Sequence, residues 1–147
     1  MSISANYTSS EDSLYYGGAT FAPVFDLASG TLRFSGGAPL ADYVAALRDV
    51  RYKNTSDNPV TDERTITFVV NDGNSDSDGE SLNVAVTPIN DPPVVTLSVA
   101  NVAYTEAAGP VVLDNGIVIS DIDNTELQDA FIRISGGYVQ GQDTLIY

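Results

Sequence analysis

The chain has 147 residues, 20 of them acidic against 6 basic, for a formal net charge of −14. So acidic a surface repels nucleic acid and anionic membranes and suits divalent cations. Cysteine, histidine and tryptophan are all absent, which excludes disulfides, thiolate metal sites and the commonest general bases and nucleophiles.

Most of the sequence reads as short strands of period two. Val24-Phe25-Asp26-Leu27 and Leu32-Arg33-Phe34 read as short strands separated by Ala28-Ser29-Gly30, a tight connection. Residues 39–48 form the one helical segment, with Leu40, Tyr43, Val44 and Leu47 at i, i+3, i+4 and i+7. Pro39 suits the first helical position. The helix is expected to pack across the open end of a sandwich, with Leu47 as its anchor. Lys53 is the only lysine. Val50 and Tyr52 point to the opposite face, so Lys53 reads as a solvent-facing edge residue rather than an isopeptide partner.

Along residues 64–70, Ile66, Phe68 and Val70 share one face; along residues 81–87, Leu82, Val84 and Val86 do the same. The polar loop of residues 72–79 joins the two as a hairpin. Ile89-Asn-Asp-Pro-Pro-Val94 holds the strongest break in the chain, because adjacent prolines stop helix and central strand alike. We read residues 1–88 as the later part of one domain, 89–93 as a linker and 94–147 as the opening of the next, or the whole as one permuted repeat. Beyond the linker, Val95, Leu97 and Val99 mark a strand, and Ile132 with Ile134 another. Asp114-Asn115-Gly116 signals a type I′ hairpin or a tight bend.

The last fourteen residues, ISGGYVQGQDTLIY from Ile134, align without gaps on ISANYTSSEDSLYY from Ile3, with six identities at a spacing of 131 residues. The spacing is that of a domain, so the chain reads as a window on a tandem array. Asp12 and Asp143 occupy equivalent positions, which suggests a structural turn more than a ligand.

The runs Leu32-Arg-Phe-Ser-Gly36, Ala41 to Asn54, Arg64 to Gly73 and Val86 to Val94, in that order, resemble the cadherin-like tandem repeats of large bacterial surface and secreted proteins. They are also similar to repeats of the chondroitin-sulfate-proteoglycan type. Tyr104-Thr-Glu106 and Ser120-Asp-Ile-Asp123 look like the opening of the following repeat. The resemblance implies an all-β fold, a cadherin- or immunoglobulin-like β-sandwich with one short helix. It also implies an extracellular or cell-surface setting, and calcium at the joints.

Matched residue by residue, the cadherin joint falls on Asn90, Asp91, Glu106, Asp121 and Asp123. The same residues read equally well as a solvated acidic rim with an Asx-turn at Asp91. A second cluster, Asp72, Asn74, Asp76 and Asp78, mimics the start of an EF-hand loop. Its twelfth position, counted from Asn74, is Ala85 rather than Glu, and no helices flank it, so a polar hairpin loop is the first reading. Asn6 and Asn54 open glycosylation acceptor patterns.

The function expected is a non-catalytic structural and adhesive module that self-assembles head to tail. Its partners would be neighbouring repeats, other copies, glycans or surface protein, without nucleic acid. The alternative is a carbohydrate-binding module, which an exposed line of Tyr7, Tyr15 and Tyr16 would favour. No apolar run approaches the ~18 residues of a membrane span. No secretory signal precedes the first strand, so a secreted parent is expected to carry its signal outside this segment.

Overall fold

A computed structural model describes residues 1–147. Two compact units divide the chain, Met1–Ile89 and Asn90–Tyr147. The architecture is all-β, sandwich-like, with one short helix.

Unit 1 contains β1 (Ser2–Ala5), β2 (Asp12–Tyr16), β3 (Val24–Asp26), β4 (Thr31–Arg33), α1 (Leu40–Arg48), β5 (Val50–Asn54), β6 (Arg64–Phe68) and β7 (Glu80–Val84). Five strands form one antiparallel sheet in the order β3-β4-β1-β6-β7, and β2 pairs with β5 in a second sheet. Alternation decides which side chains face inward. Ile3, Leu32 and Ile66 from the large sheet and Leu14 from the small one make a shared buried core. Tyr7, Tyr16, Phe25, Phe34 and Tyr52 pack around it, half-buried.

Both hairpins expected in unit 1 form. Between β3 and β4, the Asp26 carboxylate accepts from Ala28 N and Ser29 Oγ at 2.9 and 2.7 Å, and Gly30 takes φ +64°. A Cβ on Gly30 would lie 3.0 Å from the Tyr7 ring, so both backbone and space call for glycine there. Between β6 and β7 the register is regular from Arg64↔Val84 to Phe68↔Glu80. Here the inward set is shorter than expected: β6 ends at Phe68, leaving Val70 exposed, and Leu82 on the edge strand β7 is 49% exposed.

The helix is where expected but sits on a different anchor. Pro39 is the N-cap (φ −54°, ψ 145°), not the first helical residue. Asp42 in the first turn and Arg48 in the last suit the helix dipole. Of its side chains only Ala46 is buried; Leu47 is half-buried and Leu40 is 80% exposed. What holds the helix is a chain of rings, Tyr43–Phe21–Phe34–Tyr16, at centroid distances of 4.6, 5.6 and 5.3 Å. Each spacing suits favourable aromatic packing.

Unit 2 has one ladder, β8 (Val94–Thr96) with β9 (Val118–Ser120). The strands expected across Leu97 to Val99 and at Ile132 and Ile134 are absent, and Asp114-Asn115-Gly116 makes a tight bend rather than a hairpin. In that bend the Asp114 carboxylate accepts from the Ser98 hydroxyl, from Gly116 N at 2.8 Å and from Ser98 N at 2.6 Å, bonds that hold it below the usual aspartate range. No side chain of unit 2 is fully buried; only Asp114, Asp121 and Asp123 are half-buried. Alternating apolar residues became strands where a partner strand was present and stayed irregular where none was.

Candidate metal centre and the repeated turn

Four of the five residues expected at the joint are linked in unit 2. Asp121 Oδ1 accepts from Asp123 N at 2.9 Å and Asn124 N at 2.8 Å, an Asx-turn that folds the acidic loop onto itself. Asp123 Oδ2 accepts from Asp91 N, and Asn124 Nδ2 donates to Asn90 Oδ1 at 3.1 Å. The linker pair is thereby tied to the loop after β9. Asp123 Oδ1 is buried and has no hydrogen-bond partner. Glu106 instead occupies a separate exposed turn of residues 105–108, closed by Ala108 N to Thr105 O at 3.1 Å, with Ala107 at φ +63°. No three carboxylates converge on one point.

The loop of residues 72–79 is bound to itself. Asp72 Oδ1 accepts from Ser75 N and Asn74 N at 2.9 Å each, and these bonds bring its carboxyl below the usual range. Asp76 Oδ1 accepts from Asn71 Nδ2 at 2.7 Å, and Asn71 pairs with Asp76 as an isolated bridge. Asn74 and Asp78 are exposed in the same hairpin connection.

The densest polar constellation is one that sequence reasoning missed. Asp12, 1% exposed, opens β2 and faces Arg64, which is fully buried at the start of β6. Asp12 Oδ2 accepts from Arg64 Nε at 3.2 Å and Thr8 N at 2.8 Å; Oδ1 accepts from Asn54 Nδ2 at 2.8 Å and from the Tyr52 hydroxyl. Arg64 Nη1 donates to Val60 O and Asp62 O. Burial alone would raise the Asp12 carboxyl, but the bonds from Tyr52, Thr8, Asn54 and Arg64 outweigh it and bring the group below its ordinary value. Tyr52 moves the other way, to about 12, through burial and then the adjacent carboxylate. The one available signal was the recurrence of Asp12 at Asp143. Nothing in the sequence joins Asp12 to Arg64.

The recurrence is structural as well. In the first copy Glu11 N and Asp12 N donate to Thr8 O at 3.0 and 2.8 Å, and Thr8 N to Asp12 Oδ2 at 2.8 Å. In the second, Gln142 N and Asp143 N donate to Val139 O at 3.1 and 3.0 Å, and Val139 N to Asp143 Oδ2 at 2.7 Å. Both aspartates close the same turn, as expected.

The tyrosines do not form the exposed line that sugar stacking would use. Tyr7 packs edge-on to Phe25 with its hydroxyl on Leu27 O, Tyr16 packs on Phe34, and Tyr15 alone of the three is exposed. Lys53 faces solvent on β5, opposite Ser13. Asn54, a glycosylation acceptor by pattern, is committed to Asp12, whereas Asn6 is exposed and donates to Glu63 O. No helix is long and apolar enough to cross a membrane. Comparison with known proteins finds no matching family model, curated protein or solved structure.

Proposed function

We propose that this chain is a non-catalytic structural and adhesive module of a bacterial-type extracellular surface protein, associating head to tail and stiffened by calcium at its joint. The observation that supports it most is the recurrence of one hydrogen-bonded turn 131 residues along the chain. A chain that restarts on its own pattern belongs to an array. Unit 2 leaves its apolar residues exposed, including Val94, Leu97, Val112 and Phe131, a surface of the kind that recruits a partner. In unit 1, β3 and β7 are sheet edges, and β2 and β5 each keep one unpaired side.

For calcium, the supporting feature is Asp123 Oδ1, a buried carboxylate oxygen without a donor beside the Asn90–Asp91 link. Asn90, Asp91, Asp121 and Asp123 would hold the ion, with backbone carbonyls and water completing the oxygen shell and Glu106 left in its own turn. The ion would relieve repulsion among these carboxylates and so stiffen the linker. The second acidic loop, with its Asp72 and Asp76 oxygens engaged by its own backbone and Asn71, serves as a hairpin connection.

Sedimentation velocity over a concentration series, with calcium and again with EDTA, tests the reading. We expect a sedimentation coefficient that rises with concentration. The melting temperature should be higher in calcium, since linkage adds about 2.7 kcal/mol of unfolding free energy at a hundredfold excess over Kd. Asp123→Ala should remove the calcium-dependent part. A compact monomer at all concentrations, with melting indifferent to calcium and EDTA, overturns the proposal.

A further inference from the structure

Residues 134–147 carry a preformed copy of an element whose docking site lies in unit 1. Within 3–16, the side chains of Ile3 and Leu14 are each 3% exposed; their counterparts Ile134 and Leu145 are 37% and 43% exposed. Asp12 has four donors, whereas Asp143 keeps the one from its own turn. Ile134, Tyr138, Asp143, Thr144 and Leu145 line an open hollow of about 370 Å³. The corresponding residues of the first copy, Ile3, Tyr7 and Leu14, are packed against Leu32 and Ile66.

We propose that residues 139–147 of one copy dock on unit 1 of a second copy, in the place that residues 8–16 hold there. Asp143 then accepts from Tyr52, Asn54 and Arg64, and Leu145 fills the position of Leu14. This inference deepens the head-to-tail reading and rests on it. Three features select a second copy as the occupant. The receiving donors are set in β5 and β6, where Arg64 is a buried cation complementary to the Asp143 carboxylate. The incoming turn already has the bonded geometry of the one it replaces, which lowers the ordering cost of docking. Finally, β2 pairs with β5 alone, so exchange opens one ladder, whereas β1 is held between β4 and β6. The competitor is the receiving copy's own β2.

The chain has no cysteine, so single thiols can be placed without background. Ser13 is the direct cross-strand partner of Lys53, and Thr144 is the counterpart of Ser13. Such partners have Cα atoms about 4.5–5.5 Å apart, within the range a disulfide spans. The experiment mixes full-length Thr144→Cys, activated as a mixed disulfide, with full-length Lys53→Cys. Its collision control is Thr61→Cys, another exposed site of unit 1. The double variant Ser13→Cys/Lys53→Cys verifies that the cross-strand pair can bond. We expect Lys53→Cys to couple at least about tenfold faster than Thr61→Cys, through the raised effective concentration of a docked pair. Adding Asp143→Ala to the Thr144→Cys chain should remove the advantage. Equal coupling at Lys53 and Thr61, with the double variant closing normally, overturns the docking. If sedimentation still shows association, head-to-tail assembly stands by another contact; if it does not, both proposals fall.

Discussion

Residues 3–16 and 134–147 share six of fourteen side chains and the same backbone turn, yet one copy is core and the other is surface. In the first, two strands flank the turn; in the second there is no strand at all. The turn is local: an aspartate carboxylate four residues on satisfies an amide, and the closing bonds span three and four residues. Such a turn forms wherever its sequence occurs. Burial is not local, because Asp12 needs Tyr52, Asn54 and Arg64, which are 40, 42 and 52 residues away. The comparison separates what a short stretch carries with it from what the rest of the fold must supply.

The sharpest way to break that comparison is to truncate the two aspartates in turn. Asp12→Ala leaves the Arg64 guanidinium buried and uncompensated, which should destabilise unit 1 by about 3–5 kcal/mol. Asp143→Ala in the isolated monomer should stay within about 0.5 kcal/mol of wild type, as an exposed site does. Urea unfolding followed by tyrosine fluorescence reads both, since tryptophan is absent. Equal effects would mean that the two copies are not in different environments.

The two leucines give a smaller, purely apolar version. Leu14→Ala removes a core side chain and should cost about 2–5 kcal/mol, while Leu145→Ala should again fall within about 0.5 kcal/mol. If residues 139–147 dock in trans, Leu145→Ala should also weaken the concentration dependence of sedimentation, a readout on which monomer stability does not bear.

The limits of reading this chain follow the same division. Turn chemistry was legible: Gly30 after Asp26, the polar connection of residues 72–79, and the repeated aspartate all behave as their local residues require. Alternation in β6 was legible for Ile66 and Phe68, which face inward, but not for Val70, which lies beyond the end of the strand. Partners were not legible. Nothing adjacent to Arg64 in the sequence marks a counter-ion, and only the three-dimensional approach of β2 pairs it with Asp12. The helix periodicity was real, but Leu40 faces solvent because Tyr43 and the Phe21 ring, twenty-two residues away along the chain, set the contact. At the joint, the Asx-turn expected at Asp91 is made by Asp121 instead, and the separate turn of Glu106 depends on the positive φ of Ala107, a residue that carries no such signal.

The smallest expected effect is Tyr52→Phe, and pH makes it specific to the first copy. The substitution removes one donor from a buried carboxylate, about 1.5–3 kcal/mol at neutral pH. On the acid side, the folded Asp12 carboxyl lies below its ordinary value near 3.9. Its contribution is therefore complete above that value and lost as pH falls through the folded pKa. Losing Tyr52 should move the folded pKa upward, so acid unfolding should begin at a higher pH in the variant. On the alkaline side, Tyr52 is held at about 12 in the folded state against about 10 when unfolded. Its protonated form binds the fold, so stability is full below pH 10 and falls as pH rises towards 12. Phenylalanine has no proton to lose, and the variant should lack that component of the alkaline decline. Tyr138→Phe, in the second copy, should leave both limbs where they are. Unfolding free energies measured at pH 3–5 and pH 9–12 for the three chains check this. An alkaline slope unchanged by Tyr52→Phe would place the titration elsewhere and detach Tyr52 from the Asp12 network.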